Sequence, residues 1–262
     1  MSKICFLAII LSVLIACKGE QKPVAEPAPP KKLNYKEIKA PIPFSGSYLN
    51  ETYLAGIRDH KSPRKAQEGI DECFVRIPAN TLTPTTMVFN FHEAMTDMMP
   101  LNNNGTYELW ETQNDTLSKL RYTIEIVGED KIKIGEKNFV KINPEYSGNQ
   151  PLILEEILFQ GAYILKKGGK VEFRNNGEVT GLGKYKYYVP VMDYFDAGLQ
   201  IDQVGLGETR DKLDYYGFKF RKNGLDLFEI KCKTYDEKEK RCVDVDFGKK
   251  VFDLTLDKPS GE

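Results

Sequence analysis

Apolar and polar residues alternate along much of the chain beyond residue 72. The alternation is clearest from Leu120 to Ile126, where the two kinds of residue exchange at every step, which is the period of a half-buried strand. The dipeptides Asn176-Gly177 and Asn223-Gly224 are typical of hairpin turns between such strands. Similar short runs predict further strands at residues 73–77, 86–91, 107–111, 131–134, 171–174, 218–221 and 225–231.

Two short helices are predicted ahead of these strands, at Asn50 to Ile57 and at Pro63 to Asp71. The second is favoured because Ser62 can cap its unpaired amide groups and Pro63 suits the first helical position. No long helices separate the strands, so a parallel βαβ sheet is disfavoured. We therefore predict an all-β fold, an antiparallel β-barrel or sandwich with one or two short N-terminal helices.

The first residues of the chain have a different pattern. Lys3 supplies a positive start, and residues 4–16 are almost wholly apolar. A membrane-spanning helix needs roughly 20 apolar residues, so this shorter run is typical of a processed signal peptide. Its end, Leu14-Ile15-Ala16-Cys17, resembles the lipobox of bacterial lipoproteins. The alternative is an ordinary secretory peptide in which Cys17 has no special role.

The lipobox resemblance implies a lipid anchor. Signal peptidase II would remove residues 1–16, and Cys17 would carry a diacylglyceryl group and an acylated amine. Three acyl chains, at about 0.8 kcal/mol per buried methylene, hold a protein stably on its partner, the lipid bilayer. Lys18 stands where an aspartate would favour retention in the inner membrane, so the resemblance points to the outer membrane of a Gram-negative bacterium, on either face.

The segment that follows Cys17 is rich in proline and lysine. Residues 17–43 contain few large apolar side chains and are interpreted as a linker. The β-rich domain then covers residues 44–262, as one unit or as two subdomains that divide near residues 145–160. Its length suits a barrel or sandwich.

Composition and motifs argue against several classes of function. The chain has 37 basic and 38 acidic side chains, so an electrostatically held nucleic acid is not expected. With only His60 and His92, a multi-histidine metal centre is excluded, and no Gly-x-Ser-x-Gly motif occurs. Acidic pairs such as Glu155-Glu156, or Asp193 with Asp196, are expected by chance among so many carboxylates. We therefore predict no cofactor, no metal and no enzymatic activity.

Three cysteines remain if Cys5 is removed and Cys17 is acylated. Cys232 and Cys242 flank a charged segment suited to a hairpin loop, and we predict a disulfide between them. Strand parity places Cys232 with Ile230 but Cys242 with Asp244, so a β-bulge is needed to bring the sulfurs together. Cys73 would be a buried thiol or compete for either partner.

The C-terminal half is similar to lipocalin-like and calycin β-barrels. Gly161-Ala-Tyr163 matches their opening Gly-x-Trp strand with Tyr for Trp, and Met192-Asp193-Tyr194 matches their Thr-Asp-Tyr loop with Met for Thr. The aromatic residues between Tyr185 and Tyr216 could line a pocket, although packing into the core is the simpler interpretation. Separately, Asp115-Thr116-Leu117 is similar to an acceptor for O-glycosylation of exported proteins.

Two hypotheses follow for the function. The first is a lipid-anchored β-barrel that binds a small apolar or amphipathic ligand in its interior without catalysis. The second is a structural or interaction lipoprotein of the cell envelope, whose surface docks a protein or a glycan. A cavity within the barrel would favour the first hypothesis, and a filled interior the second.

Overall fold

The computed structural model describes residues 42–79, 85–89, 93–113, 116–147, 150–194 and 198–257. They form two antiparallel β structures with short helices packed beside them. The predicted all-β class with short N-terminal helices is confirmed.

The first β structure is a closed barrel in which each strand pairs with the next along the chain. Antiparallel pairing of the first strand with the eighth, from Ser47–Ile142 to Asn50–Phe139, closes it. Its strands are β1 (Gly46–Asn50), β2 (Glu72–Ile77), β3 (Thr85–Phe89), β4 (Glu93–Asn103), β5 (Thr106–Gln113), β6 (Thr116–Gly128), β7 (Lys131–Ile134) and β8 (Lys137–Ile142).

Large apolar side chains fill the interior of this barrel. They come from all the strands except β3, whose side chains are not described, and from the chain that enters the barrel. Buried apolar side chains of this kind pack closely against one another. The buried residues are Ile42, Phe44, Tyr48, Val75, Ile77, Met98, Leu109, Ile124, Ile132, Ile134 and Phe139.

Two helices connect β1 to β2. The first, α1 (Glu51–His60), begins where the Asn50 side chain accepts hydrogen bonds from two amide groups, and the second, α2 (Pro63–Gln67), is capped by Ser62. The second helix is shorter than predicted because Gly69, at φ +75°, turns the chain away from it. The two start signals predicted for α2, Ser62 as the cap and Pro63 at the first position, are therefore both present.

The second β structure is an eight-stranded sheet that follows a small hairpin, β9 (Tyr146–Ser147) and β10 (Gln150–Pro151), and a short π-helical segment, α3 (Glu155–Phe159). Its order, from edge to edge, is β13-β12-β11-β18-β17-β16-β15-β14. The strands are β11 (Gly161–Leu165), β12 (Lys170–Phe173), β13 (Val179–Thr180), β14 (Tyr187–Pro190), β15 (Gln203–Thr209), β16 (Lys212–Arg221), β17 (Gly224–Asp236) and β18 (Arg241–Leu256).

This sheet curls until its two edges meet. A single β-bridge joins Glu178 to Tyr187, and two backbone hydrogen bonds flank it, from the Val179 amide to the Lys186 carbonyl and from the Tyr188 amide to the Gly177 carbonyl. The second β structure is therefore also barrel-like, although far less pairing closes it than closes the first.

An aromatic side chain from α3 occupies the concave side of the second sheet. The ring of Phe159 lies 5.0 to 6.0 Å, centroid to centroid, from four other aromatic rings. Those rings belong to Phe173, Tyr188, Phe218 and Phe220. Buried aliphatic residues such as Leu206, Leu225 and Leu254 complete this core.

One continuous core joins the two β structures. Tyr53 and Ile57 of α1 belong to the same buried cluster as the second sheet, together with Leu49 and Phe74 on the outer face of the first barrel. Gly56 permits close contact between the helices, because a Cβ there would lie 3.1 Å from Ala66. No helix in the described part of the chain is both long and apolar enough to cross a membrane.

Candidate functional site

The residue for which the sequence gives the clearest role, Cys17, lies outside the described residues together with most of the linker. The described chain starts at Ile42, whose side chain is buried, as is that of Phe44. The fold therefore holds the chain from this point onward, and acylation of Cys17 stays a prediction.

The predicted disulfide between Cys232 and Cys242 is present, with the two Cα atoms 5.7 Å apart. The required bulge is present as well, because the register between β17 and β18 shifts twice between Cys232 and Tyr235. Cys73 is a fully buried thiol outside this disulfide, and its Sγ lies 3.9 Å from the carbonyl oxygen of Ile70.

The disulfide braces a two-stranded extension of the second sheet, residues 229–249, which we call the ribbon. Strand β16 pairs with β17 only as far as Phe228, and β11 pairs with β18 only from Leu254 onward. Beyond these points, β17 and β18 pair with each other. The ribbon therefore extends past both strands that flank it.

The two edges of the ribbon differ. A loop holds the β18 edge, because the Gln200 side chain donates to the Val243 carbonyl at 3.0 Å and accepts from the Val245 amide at 3.1 Å. Along β17, by contrast, residues 229–236 pair with no further strand among those described. Tyr235 on this strand is 50% exposed. The β17 edge therefore presents backbone donors and acceptors to solvent.

Most of the aromatic residues between Tyr185 and Tyr216 pack into the core. Tyr188 is fully buried and donates a hydrogen bond to the Arg174 carbonyl at 2.6 Å, and burial raises the pKa of its hydroxyl. Tyr185 packs edge-to-face against Tyr216. Among those that the structure describes, only Tyr215, 52% exposed, points largely to solvent.

The described members of the two acidic pairs differ in burial. Glu155 is buried at the start of α3, whereas the neighbouring Glu156 is exposed. Burial raises the pKa of Glu155 to about 7, against the lowering effect of its own backbone amide and of Arg210. Asp193 is half-buried, and Asp196 lies outside the described residues.

One residue of the calycin-like segments, Tyr163, is part of the core. Tyr163, in the Gly161-Ala-Tyr163 segment that opens β11, is buried and donates to the Phe159 carbonyl at 3.3 Å. His60 is exposed at the end of α1, and His92 is not among the described residues. Nowhere in the described ranges do three or more His, Cys, Asp or Glu side chains group as metal ligands.

Sequence reasoning did not identify a cleft between the α1–α2 turn and the second sheet, with a volume of about 230 Å³. Five of its lining side chains are basic, and the rings of Phe220 and Phe247 line its apolar part. The basic residues are His60, Lys61, Arg64, Lys65 and Lys219. The run of basic residues near the turn was a visible signal in the sequence, but nothing there connected Lys219 to it.

Asp202 fastens the two sides of this cleft together. Its carboxylate accepts a hydrogen bond from the Ser62 hydroxyl at 2.6 Å and another from the Arg64 amide at 3.0 Å. Burial raises the pKa of Asp202, and these bonds and the charges of Arg64 and Lys65 act in the opposite direction. Both carboxylate oxygens are thus engaged by α2.

Comparison with known proteins finds no relative of this chain. Neither a protein family, nor a curated protein, nor a solved structure matches the chain.

Proposed function

We propose that the chain is a lipid-anchored, non-catalytic interaction lipoprotein of the cell envelope. Acyl chains on Cys17 attach it to the outer membrane of a Gram-negative bacterium, and the linker up to residue 43 separates the β-rich domain from the bilayer. The lipobox at residues 14–17 and the Pro- and Lys-rich composition of the linker support this part of the proposal.

The observation that carries the proposal is the filling of both β structures. Tyr48 and Phe139 belong to the packed interior of the first barrel, and Phe159 occupies the second with four rings around it. A small apolar ligand would need a cavity of roughly 300 Å³ or more. Binding in a barrel interior stays a prediction, and the packing favours recognition on the outside of the domain.

The ribbon is the part of the exterior that best suits a protein partner. The unpaired edge of β17 can add a strand from another chain through main-chain hydrogen bonds. The disulfide restricts the ribbon before binding, which lowers the ordering cost of association. Exposed Tyr235 supplies an aromatic contact of the kind enriched in interfaces. A glycan would make no use of a strand edge.

Replacement of Cys17 by serine tests the anchor. In cells, the Cys17→Ser protein should move from the membrane fraction to the soluble fraction and keep the fold of the domain, because the two buried cores are built from residues between Ile42 and Leu254. The measurement is fractionation with an immunoblot. A Cys17→Ser protein that stays in the membrane like the wild type would contradict the anchor.

Site-specific photo-crosslinking in intact cells tests the partner. A crosslinking amino acid at Tyr235 should give one discrete, protease-sensitive adduct, whereas the same amino acid at Leu120, an exposed residue of the first barrel, should give none. The adduct at Tyr235 should weaken when Cys232 and Cys242 are both replaced by serine. Equal adducts at both positions, or an adduct removed by glycosidases only, would contradict docking of a protein on the ribbon.

A further inference from the structure

The basic cleft beside α2 holds more positive charge than the acidic groups around it neutralise. Arg64 pairs with Glu68 at 3.0 Å, and Asp202 is engaged by Ser62 and the Arg64 amide. Three lysines that form no ion pair with a described residue also line the cleft, namely Lys61, Lys65 and Lys219. Asp202 keeps its negative charge because its two hydrogen-bond donors are neutral, so it offsets only part of the positive charge of these lysines.

These lysines come from separate parts of the chain, and the fold brings them to one place. Lys61 ends α1 in the left-handed conformation, at φ 51°, and its amide bonds to the Ile57 carbonyl. On the opposite wall, the ammonium group of Lys219 lies 3.8 Å from the centroid of the Phe247 ring. Gly217 leaves the space for that ring, since a Cβ there would lie 2.9 Å from it.

The connection between the two walls is itself part of the fold. Asp202 belongs to the segment that precedes β15, and it bonds to residues of the α1–α2 turn. The two walls are thereby held at a fixed separation, so that binding of a ligand does not carry the entropic cost of ordering them.

From this arrangement we infer that the cleft binds a phosphate group, either free or carried by a larger molecule. Three lysines act as compact point charges that suit a doubly charged oxyanion better than a single carboxylate. The amide groups of α2 already have Ser62 and Asp202 as acceptors, so side chains alone would hold the ligand. This inference goes beyond the proposed function and does not depend on a partner at the ribbon.

Calorimetric titration of the full-length protein in a neutral detergent tests the inference. Inorganic phosphate and pyrophosphate are the probes, at roughly 50 mM salt so that screening stays weak. The variant K61Q/K65Q/K219Q should bind pyrophosphate at least about tenfold more weakly than the wild type, because it loses the positive charges of all three lysines that line the cleft. If this variant does not fold, K61Q/K65Q, which alters only exposed side chains, takes its place.

The matched control is K166Q/K167Q/K222Q, which removes the same charge from exposed turns of the second sheet. Its affinity should change by less than about twofold, because those charges act only at long range through salt solution. Equal loss in both triple variants would overturn the site, since the effect would then be one of net charge. Absence of phosphate and pyrophosphate binding by the wild type, together with absence of vesicle binding, would overturn it as well.

Vesicles distinguish the two sources of the phosphate group. Neutral phosphatidylcholine vesicles are compared with vesicles that contain phosphatidylglycerol, using residues 18–262, which lack both the acyl chains and the apolar signal segment. If the protein binds soluble phosphate but not the vesicles, the ligand is a free or saccharide-borne phosphate. If the protein binds the anionic vesicles and K61Q/K65Q/K219Q does not, the ligand is a lipid headgroup. Vesicle binding that survives in that variant would contradict the inference.

Discussion

The two β structures of this protein fill their interiors in different ways. The first barrel closes through continuous pairing of β1 with β8, and side chains of its own strands occupy the centre. The second closes through one β-bridge, and the aromatic ring of Phe159, supplied by α3, occupies its centre. The first barrel is filled mainly by its own strands, with Ile42 and Phe44 from the chain that enters it, whereas the weakly closed one depends on a helix from outside the sheet.

The difference shows how a barrel-like shape can exist without a ligand site. In the second structure the position that a bound molecule would occupy is taken by a residue of the same chain, and the buried Glu155 carboxyl enters with it. This difference is the reason why we propose recognition on the outside of the domain, at the ribbon and in the basic cleft.

The largest expected effect comes from removing the aromatic ring at the centre of the second structure. Phe159→Ala should lower the free energy of unfolding by about 3–5 kcal/mol, because a buried ring is lost and a cavity remains among four others. Urea unfolding of the full-length protein measures this. Phe139→Ala, the same change at a 1% exposed site of the first barrel, is the comparison.

Binding of a small apolar molecule by Phe159→Ala and Phe139→Ala is a second way to compare the two barrels. Phe159→Ala should gain binding of a small apolar probe such as benzene, since engineered apolar cavities accept such molecules. If Phe159→Ala destabilises the protein by less than about 1 kcal/mol, α3 is not the element that completes the second structure.

The second effect is a pH dependence of stability that originates in Glu155. Its pKa is raised from 4.5 to about 7 in the folded protein, so the folded state binds more protons than the unfolded state between these values. Stability should therefore fall as the pH rises from about 4.5 to about 7, and stay level above that. The total change is at most about 3 kcal/mol.

Urea unfolding of Glu155→Gln across this pH range should show a smaller decline than that of the wild type. Asp202, whose pKa is also raised, gives a dependence of the same sign in both proteins, so the difference between them isolates Glu155. Glu156→Gln, at the exposed neighbouring position, should keep the wild-type profile. A decline unchanged in Glu155→Gln would show that the carboxyl is not desolvated.

A smaller effect is expected at the ribbon. Replacement of both Cys232 and Cys242 by serine releases a short loop and should reduce stability by about 2 kcal/mol at most. Because the ribbon extends beyond the flanking strands, amide exchange should accelerate mainly at residues 229–249 and not in the first barrel. Faster exchange throughout both β structures would show that the ribbon is part of the common core.

The smallest effect is expected where the first barrel meets solvent. Leu120 on β6 is 40% exposed, so Leu120→Ser should change the free energy of unfolding by no more than about 0.5 kcal/mol. Ile124→Ser, on the same strand but 4% exposed, is the contrast and should cost several times more. Similar losses for the two variants would mean that the strand packs differently from this description.

The alternation of side chains was sufficient to predict the fold class and many strands. The run from Leu120 to Ile126 falls within β6, and residues 131–134 are β7. It could not predict β15, in which Gly205 and Gly207 interrupt the apolar pattern. Those glycines lie within the strand because the Leu213 side chain packs across it, with Leu213 Cδ1 only 2.8 Å from the place of a Cβ at Gly205.

The candidate sites also differ in how far apart in the sequence their residues lie. The disulfide and the helix caps were predictable because Cys232 with Cys242, and Ser62 with Pro63, are close in sequence. The closure of the second sheet and the basic cleft depend on residues far apart in the chain. Lys219 meets Lys61 only through the complete fold, and no local pattern carries that information.

Native mass spectrometry of the full-length protein, extracted from membranes with a mild detergent, tests the central claim most directly. The account predicts the mass of a chain that begins at Cys17 and carries three acyl chains, with no apolar small molecule retained, since both interiors are filled. A stoichiometric apolar molecule that leaves only when the protein unfolds would contradict it, and so would an intact signal segment.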